Sequence, residues 1–512
     1  MAGAFSGTSD LVVLGCATAL LLFILRRQRG ANRHLPPSPA GALPFLGHMF
    51  VLPKRQPWFK MEQWTRELGP IYSIKLGSQL FVILGRASAA VDLLDKRSRI
   101  YSSRPRRIMI SDIASRGYRM VLMPYGERWR KQRRLLHPIT NIKASSCYEG
   151  IQSMESAQLV RDLLRDPQNF VNHAQRFAGS NIMQITYNKR AQSWDDPAIT
   201  KMAEIGSYLG PLAVIGSSIV DIWPCLNRLP RLLAPWKKRG DELFNMSYTL
   251  YRRHYDDVKR EVKQGGAPVS FAADIIRLRE EYKISEIEGM FLAGSIYAAG
   301  SITTSDATET FILLMVAHPE VMKKAQEEID RVVGGKRLPE FSDQDDLVYC
   351  QAILRECMRF RSVTAGGVTH CTMEDDTYNG YFIPKGTAVL ACHWAIHLDP
   401  EVYPEPHKFN PDRFVVNGEL VGTKYSERGH HTYGFGRRIC PGMHIADRSL
   451  FIAFTRILWA FELLPQIDDQ GNAIPVDVNR FTDGLATAPL PFQCRIQSRG
   501  KWVEEALDSF AF

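Results

Sequence analysis

HHTYGFGRRICPG, residues 430–442, gathers Gly434, Gly436, Gly442, Arg437, Arg438 and Pro441 around the single thiol of Cys440. A lone cysteine is most often a small core residue, but this setting is different. Glycines let backbone amides turn toward a sulfur. Amide donors and cationic side chains favour the thiolate, a soft anionic ligand suited to iron. Arg438 offers a planar fork that fits a carboxylate. Pro441 stiffens the exit, and Gly442 opens an apolar run, MHIADRSLFIAFTRILWAFEL, with helical period. A nucleophilic cysteine with His430 or His431 as its base is the competing reading. A dinucleotide loop is excluded, because Ile439 stands where the third glycine belongs.

The chain around this loop has 512 residues, 45% hydrophobic and 23% charged, enough for a large core. Its 64 Lys+Arg against 54 Asp+Glu give a formal charge of +10, spread without a basic, aromatic-laced stripe. No nucleic-acid partner is expected. The 9 cysteines are scattered with no CxxC pair, which argues against a disulfide framework or a structural zinc site.

LVVLGCATALLLFIL (Leu11 to Leu25) is an unbroken apolar run followed by Arg26, Arg27 and Arg29. Charge after the run favours an uncleaved single-pass anchor over a signal peptide, with the rest of the chain cytosolic. The sequon Asn245-Met246-Ser247 should then stay unmodified. HLPPSPAGALPFLGH (34–48) cannot be helix and reads as a semi-rigid spacer. The expected organisation is an anchor (1–30), a proline-rich hinge (31–50) and one catalytic domain (51–512). That domain should be mainly α with a small β portion. PIYSIKLGSQLFVIL (70–84) reads as a β-hairpin. Ser285 to Ala317 reads as a long helix, too often interrupted by Ser301, Thr303, Thr304, Asp306 and Glu309 to span a membrane. A second helix is expected at about 345–360, followed by short strands and turns.

YGFGRRICPG resembles the haem-binding loop of the cytochrome P-450 family: an aromatic, usually Phe, two residues, Gly, three residues, Cys, one residue, Gly. Tyr433 is a mild departure that keeps the ring. Other motifs follow in family order. PPSPAGALPFLG is similar to the proline hinge, WRKQR carries the tryptophan–arginine pair, and ECMR carries ExxR, with Arg413 of FNPDRF as its third member. AAGSITTS matches the oxygen-binding helix segment. Taken singly these are weak, since a Glu–Arg pair at i,i+3 is common on helix surfaces.

The resemblance implies a cytochrome P-450 fold and a haem b (iron protoporphyrin IX) with Cys440 as its axial metal ligand. Phe435, Gly436, Arg438 and Gly442 would belong to the cofactor loop. Trp129 and Arg133 would reach the haem propionates, with Arg104 and His370 as further contacts. Glu356, Arg359 and Arg413 would be a structural network. Gly300 would clear room for dioxygen, and Thr303 would open a local bulge and manage protons. Where the family usually carries an acid, this chain has Ile302.

The activity implied is a monooxygenase of the endoplasmic reticulum membrane that acts on a lipophilic small molecule, most like fungal members that decorate secondary metabolites. Electrons would come from NADPH–cytochrome reductase, docked near Arg130, Lys131 and Arg134. Residues 107–115, 207–223, 363–368 and 485–486 would surround the substrate. A reductase-independent isomerase or dehydratase and a silent haem-binding protein remain the alternatives.

Overall fold

A computed structural model describes residues 34–266, 269–422 and 428–510. The expected anchor lies outside these residues. Among the described ones no helix is long and apolar enough to cross a membrane.

The helices that position the site are α1 (Glu127–Thr140), α2 (Glu149–Arg165), α3 (Phe170–Tyr187), α4 (Pro197–Leu212), α5 (Pro235–Lys263), α6 (Glu286–Ala317), α7 (Val348–Phe360) and α8 (Met443–Ala460). α6 begins at a reciprocal cap. Ser285 Oγ accepts from Glu288 N, and the Glu288 carboxylate accepts from Ser285 N at 2.9 Å. Being apolar on most sides, it runs through the interior against α3, α5 and α8. Phe311 of α6 stacks on Phe454 of α8 with centroids 3.9 Å apart. The second expected helix starts later than the sequence suggested. Phe341–Asp346 forms a 3-10 turn, and Leu347 (ψ 60) separates it from α7.

The β portion is small. β1 (Ile71–Leu76) and β2 (Gln79–Leu84) form the expected antiparallel hairpin, Ile71 opposite Leu84. With β3 (His370–Cys371) and β4 (Ala388–Ala391) the sheet order is β1-β2-β4-β3, β2 running parallel to β4. The proline segment is not a free spacer. Prolines lack an amide donor but keep their carbonyls. Ser73 N donates to Pro37 O (2.7 Å) and Ser73 Oγ to Pro36 O (2.8 Å), so the segment covers the edge of β1.

Candidate active site

A cavity of about 460 Å³ brings together residues far apart in the chain. Arg104, Trp129, Arg133, Gly300, Thr303, His370, Phe435, Arg438, Cys440 and Gly442 all line it.

The cysteine loop is held largely through its backbone. Cys440 N donates to Tyr433 O (2.8 Å), and Ile439 N to Gly436 O (3.1 Å). Gly436, at φ 54, does not line the cavity. Its amide donates to the Asp95 carboxylate, and a Cβ there would lie 2.0 Å from Leu94 O. That glycine serves close packing beneath the loop. Gly434 and Gly442 do line the cavity, with open space where a Cβ would stand. Burial pushes the Cys440 thiol up, while the Gly442 amide and Arg133 pull it partly back. A cation at the sulfur would be needed to displace the proton.

Among the described residues no histidine base serves this thiol. His431 N donates to His397 Nε2 (2.7 Å), and the His431 ring stacks on Phe435 with centroids 4.9 Å apart. Burial drives His430 down to about 3 and His431 down to about 4. Neither hydrogen-bonds Cys440 among the described residues, so the nucleophilic reading loses its base.

Four guanidiniums, those of Arg104, Arg119, Arg133 and Arg438, line the cavity without a carboxylate partner among the described residues. Arg104 spends its donors on the carbonyls of Val121 (3.0 Å), Val368 (2.9 Å) and Thr369 (2.8 Å). Arg438 donates to Ser102 O and Met123 O (both 2.7 Å) and lies 4.3 Å from the Trp129 ring centroid. Burial pulls Arg104 down to about 9 and Arg438 to about 8, and it lowers Arg133 as well. Such a cluster favours an anionic occupant. His370 is oriented by its Nδ1, 2.8 Å from Tyr101 O.

On α6, the Thr303 hydroxyl donates to Ala299 O (2.7 Å) and the helix continues without the expected bulge. Gly300 lines the cavity, and a Cβ there would meet Ile182 Cγ1 at 2.6 Å, so this glycine also admits α3. Some wall residues carried no sequence signal. Arg119 reaches Tyr251 Oη (3.2 Å) and Ser247 Oγ (2.8 Å) on α5, and Asn181 Nδ2 donates to Ser449 Oγ (2.9 Å). Of 107–115 and 207–223, only Ile110, Leu209, Gly210 and Ala213 line the cavity. Val363, Thr364, Val368, Leu485 and Ala486 do so as expected.

Behind the loop, Arg359 meets Glu356 in a fork (Nε–Oε2 2.6 Å, Nη2–Oε1 2.7 Å), both side chains fully buried. Glu356 also accepts from Asn410 N (2.7 Å) and Arg413 Nε (3.2 Å), and Arg359 donates to His397 O (2.7 Å). None of the three lines the cavity.

The family model described as Cytochrome P450 matches residues 36–495. The chain belongs to the cytochrome P450 family. Cytochrome P450 monooxygenase virE of Hypocrea virens is 38% identical, covering 96% of this chain and 90% of that protein. Cytochrome P450 monooxygenase 58 of Postia placenta is 38% identical over 97% of this chain and 95% of its own. FrzL of Cladobotryum sp, also a cytochrome P450 monooxygenase, is 36% identical over 97% and 93%. This P450 is therefore an enzyme of the monooxygenase class, and the family's cofactor is haem on a cysteine thiolate. The residues present fit that group. Uncompensated guanidiniums suit two propionates, and the open faces at Gly434 and Gly442 leave room for a flat macrocycle beside the one cysteine of the cavity wall.

Proposed function

We propose that this P450 oxidises a lipophilic small molecule with electrons from NADPH by way of a reductase, in fungal secondary metabolism. One observation carries the reading: Cys440, the unpaired guanidiniums and the Ala299–Thr303 segment of α6 meet around a single, mostly apolar cavity.

Bound haem supplies oxygen activation on a thiolate-ligated iron. The chain supplies the setting. Cys440 would hold the iron, and Arg104, Arg133, Arg438 and Trp129 would fix the propionates. Thr303 keeps its oxygen lone pairs free to accept a proton-carrying water while its hydrogen is parked on Ala299 O. Ile110, Leu209, Val363 and Leu485 would exclude water around the substrate. Arg130 and Arg134 are exposed on α1, where they would attract an acidic reductase, while Lys131 is tied to Glu127 at 2.9 Å.

Purified holoprotein, reductase and candidate lipophilic compounds test the reading. Substrate-dependent NADPH consumption with an oxygenated product is expected. Turnover without NADPH would assign an isomerase or dehydratase instead, and no consumption a silent haem protein. Cys440→Ser should abolish the thiolate-type ferrous–CO spectrum. Thr303→Ala should lower product per NADPH by about tenfold or more and raise peroxide, and unchanged coupling would remove Thr303 from proton handling.

The reading places residues 1–30 in the endoplasmic reticulum membrane with the catalytic domain in the cytosol. Asn245 is exposed on α5, so a glycan on it in expressing cells would refute that orientation.

A further inference from the structure

Ile302 occupies the family's acidic position, but here its side chain has a steric use. Its partner is Gly206 on α4. A Cβ at 206 would lie 2.7 Å from Ile302 Cδ1 and 3.3 Å from Cγ1. Both residues line the cavity beside Ala299 and Thr303. One turn along the same face of α4, the Gly210 carbonyl accepts from Leu485 N (3.3 Å). Nearby, a Cβ on Gly484 would sit 3.7 Å from the Gly210 carbonyl carbon. α4 thus rests on α6 and on the 484–486 turn through two glycines.

The end of α4 is clamped. Half-buried Arg107 donates to the carbonyls of Ala213 (2.5 Å), Leu212 (2.7 Å) and Val214 (2.8 Å), with Asp221 at 3.4 Å. α4 cannot rise without straining that clamp.

We infer that Ile302 and Gly206 form a size-matched pair that sets the ceiling of the substrate chamber, and so the bulk of the substrate admitted. This rests on the haem-thiolate reading of the cavity. A methyl added at 206 forces one of two responses. Either Ile302 swings its terminal methyl into the chamber, or α4 lifts against Arg107. Removing Cδ1 with Ile302→Val relieves both. Because Gly→Ala favours a free helix, a loss of stability at 206 would report the contact and not helix propensity.

The test is a double-mutant cycle of Gly206→Ala and Ile302→Val, using imidazole and 1-tritylimidazole as probes of the haem absorption, with melting followed in parallel. Gly206→Ala should weaken the trityl probe by about tenfold while the double variant returns to within about twofold of the parent. Ile302→Val alone should bind it no worse, and imidazole should bind all four proteins alike. Melting should fall in Gly206→Ala and recover in the double variant. Additive effects in both readouts would overturn the pairing. A parent protein that takes up no haem would overturn the reading of the site and the ceiling with it, and the melting cycle would still judge the contact.

Discussion

The two sides of this cavity are built on different principles. Behind the cysteine loop the charged groups and most polar ones are answered at close range, the Nδ1 atoms of His397 and His430 having no partner among the described residues. Glu356 meets Arg359 and Arg413, His397 accepts from His431 N, and Thr432 Oγ1 donates to Met358 O at 2.7 Å. On the side of α4 and α6 the fit is one of shape. Ile302 faces Gly206, Ile182 faces Gly300, and the Ser295 hydroxyl and the Asn181 amide oxygen have no partner among the described residues. Directional bonds in a low dielectric fix atoms where the chemistry tolerates no drift. Apolar notches are retuned one methyl at a time without leaving a charge unpaired. Damage to the first side should therefore appear as lost folding and cofactor, and damage to the second as altered ligand choice.

The largest expected effect tests the first half of that contrast. Glu356→Ala leaves Arg359 buried with carbonyls alone, a cost of about 3–5 kcal/mol for breaking a buried pair. Haem content and melting temperature should fall together. A variant with full haem content and an unchanged melting point would show that the loop does not depend on this network.

A smaller effect probes the side of α6 away from the cavity. Glu309 is buried, and burial pushes its carboxyl up to about 7, with the Ser305 hydroxyl at 3.0 Å opposing the shift only in part. A carboxyl raised on folding binds its proton more tightly in the native state. Stability should therefore fall as pH climbs from about 4.5 to about 7 and level off above, by on the order of 3 kcal/mol. Asp306, three residues earlier, is raised by burial in the same sense and adds to the slope. Glu309→Gln keeps an oxygen for Ser305 and should flatten the melting-temperature profile between pH 5 and pH 8. An equally steep profile would place the titration elsewhere.

What could be read in advance follows the same division. The cysteine loop, the ExxR helix and the hairpin were legible because their chemistry is local: a turn, an i,i+3 pair and a two-residue period. That Gly300 also admits α3 was not legible, because it depends on Ile182, which belongs to another helix. Gly206 and Arg119 gave no signal for the same reason, since their meaning lies in Ile302 and in Ser247 and Tyr251. The proline segment reads as a spacer in the sequence because its acceptor role needs Ser73, which the local sequence does not reveal.

The smallest effect falls at the aromatic position of the cysteine loop itself. Tyr433 Oη donates to Asp447 Oδ1 at 2.6 Å, and the other carboxylate oxygen of Asp447 accepts from Arg428. Tyr433→Phe removes the hydroxyl but leaves Asp447 its cation and leaves the ring, and with it the Cys440 N to Tyr433 O bond, in place. The loss is that of one hydrogen bond to a charged group, about 1.5 kcal/mol. Melting should drop modestly while the haem spectrum and the binding of both imidazole probes stay as in the parent. If the spectrum moved instead, the hydroxyl would be acting on the sulfur through the loop, and the division between a bonded side and a shaped side would have to be redrawn at Tyr433.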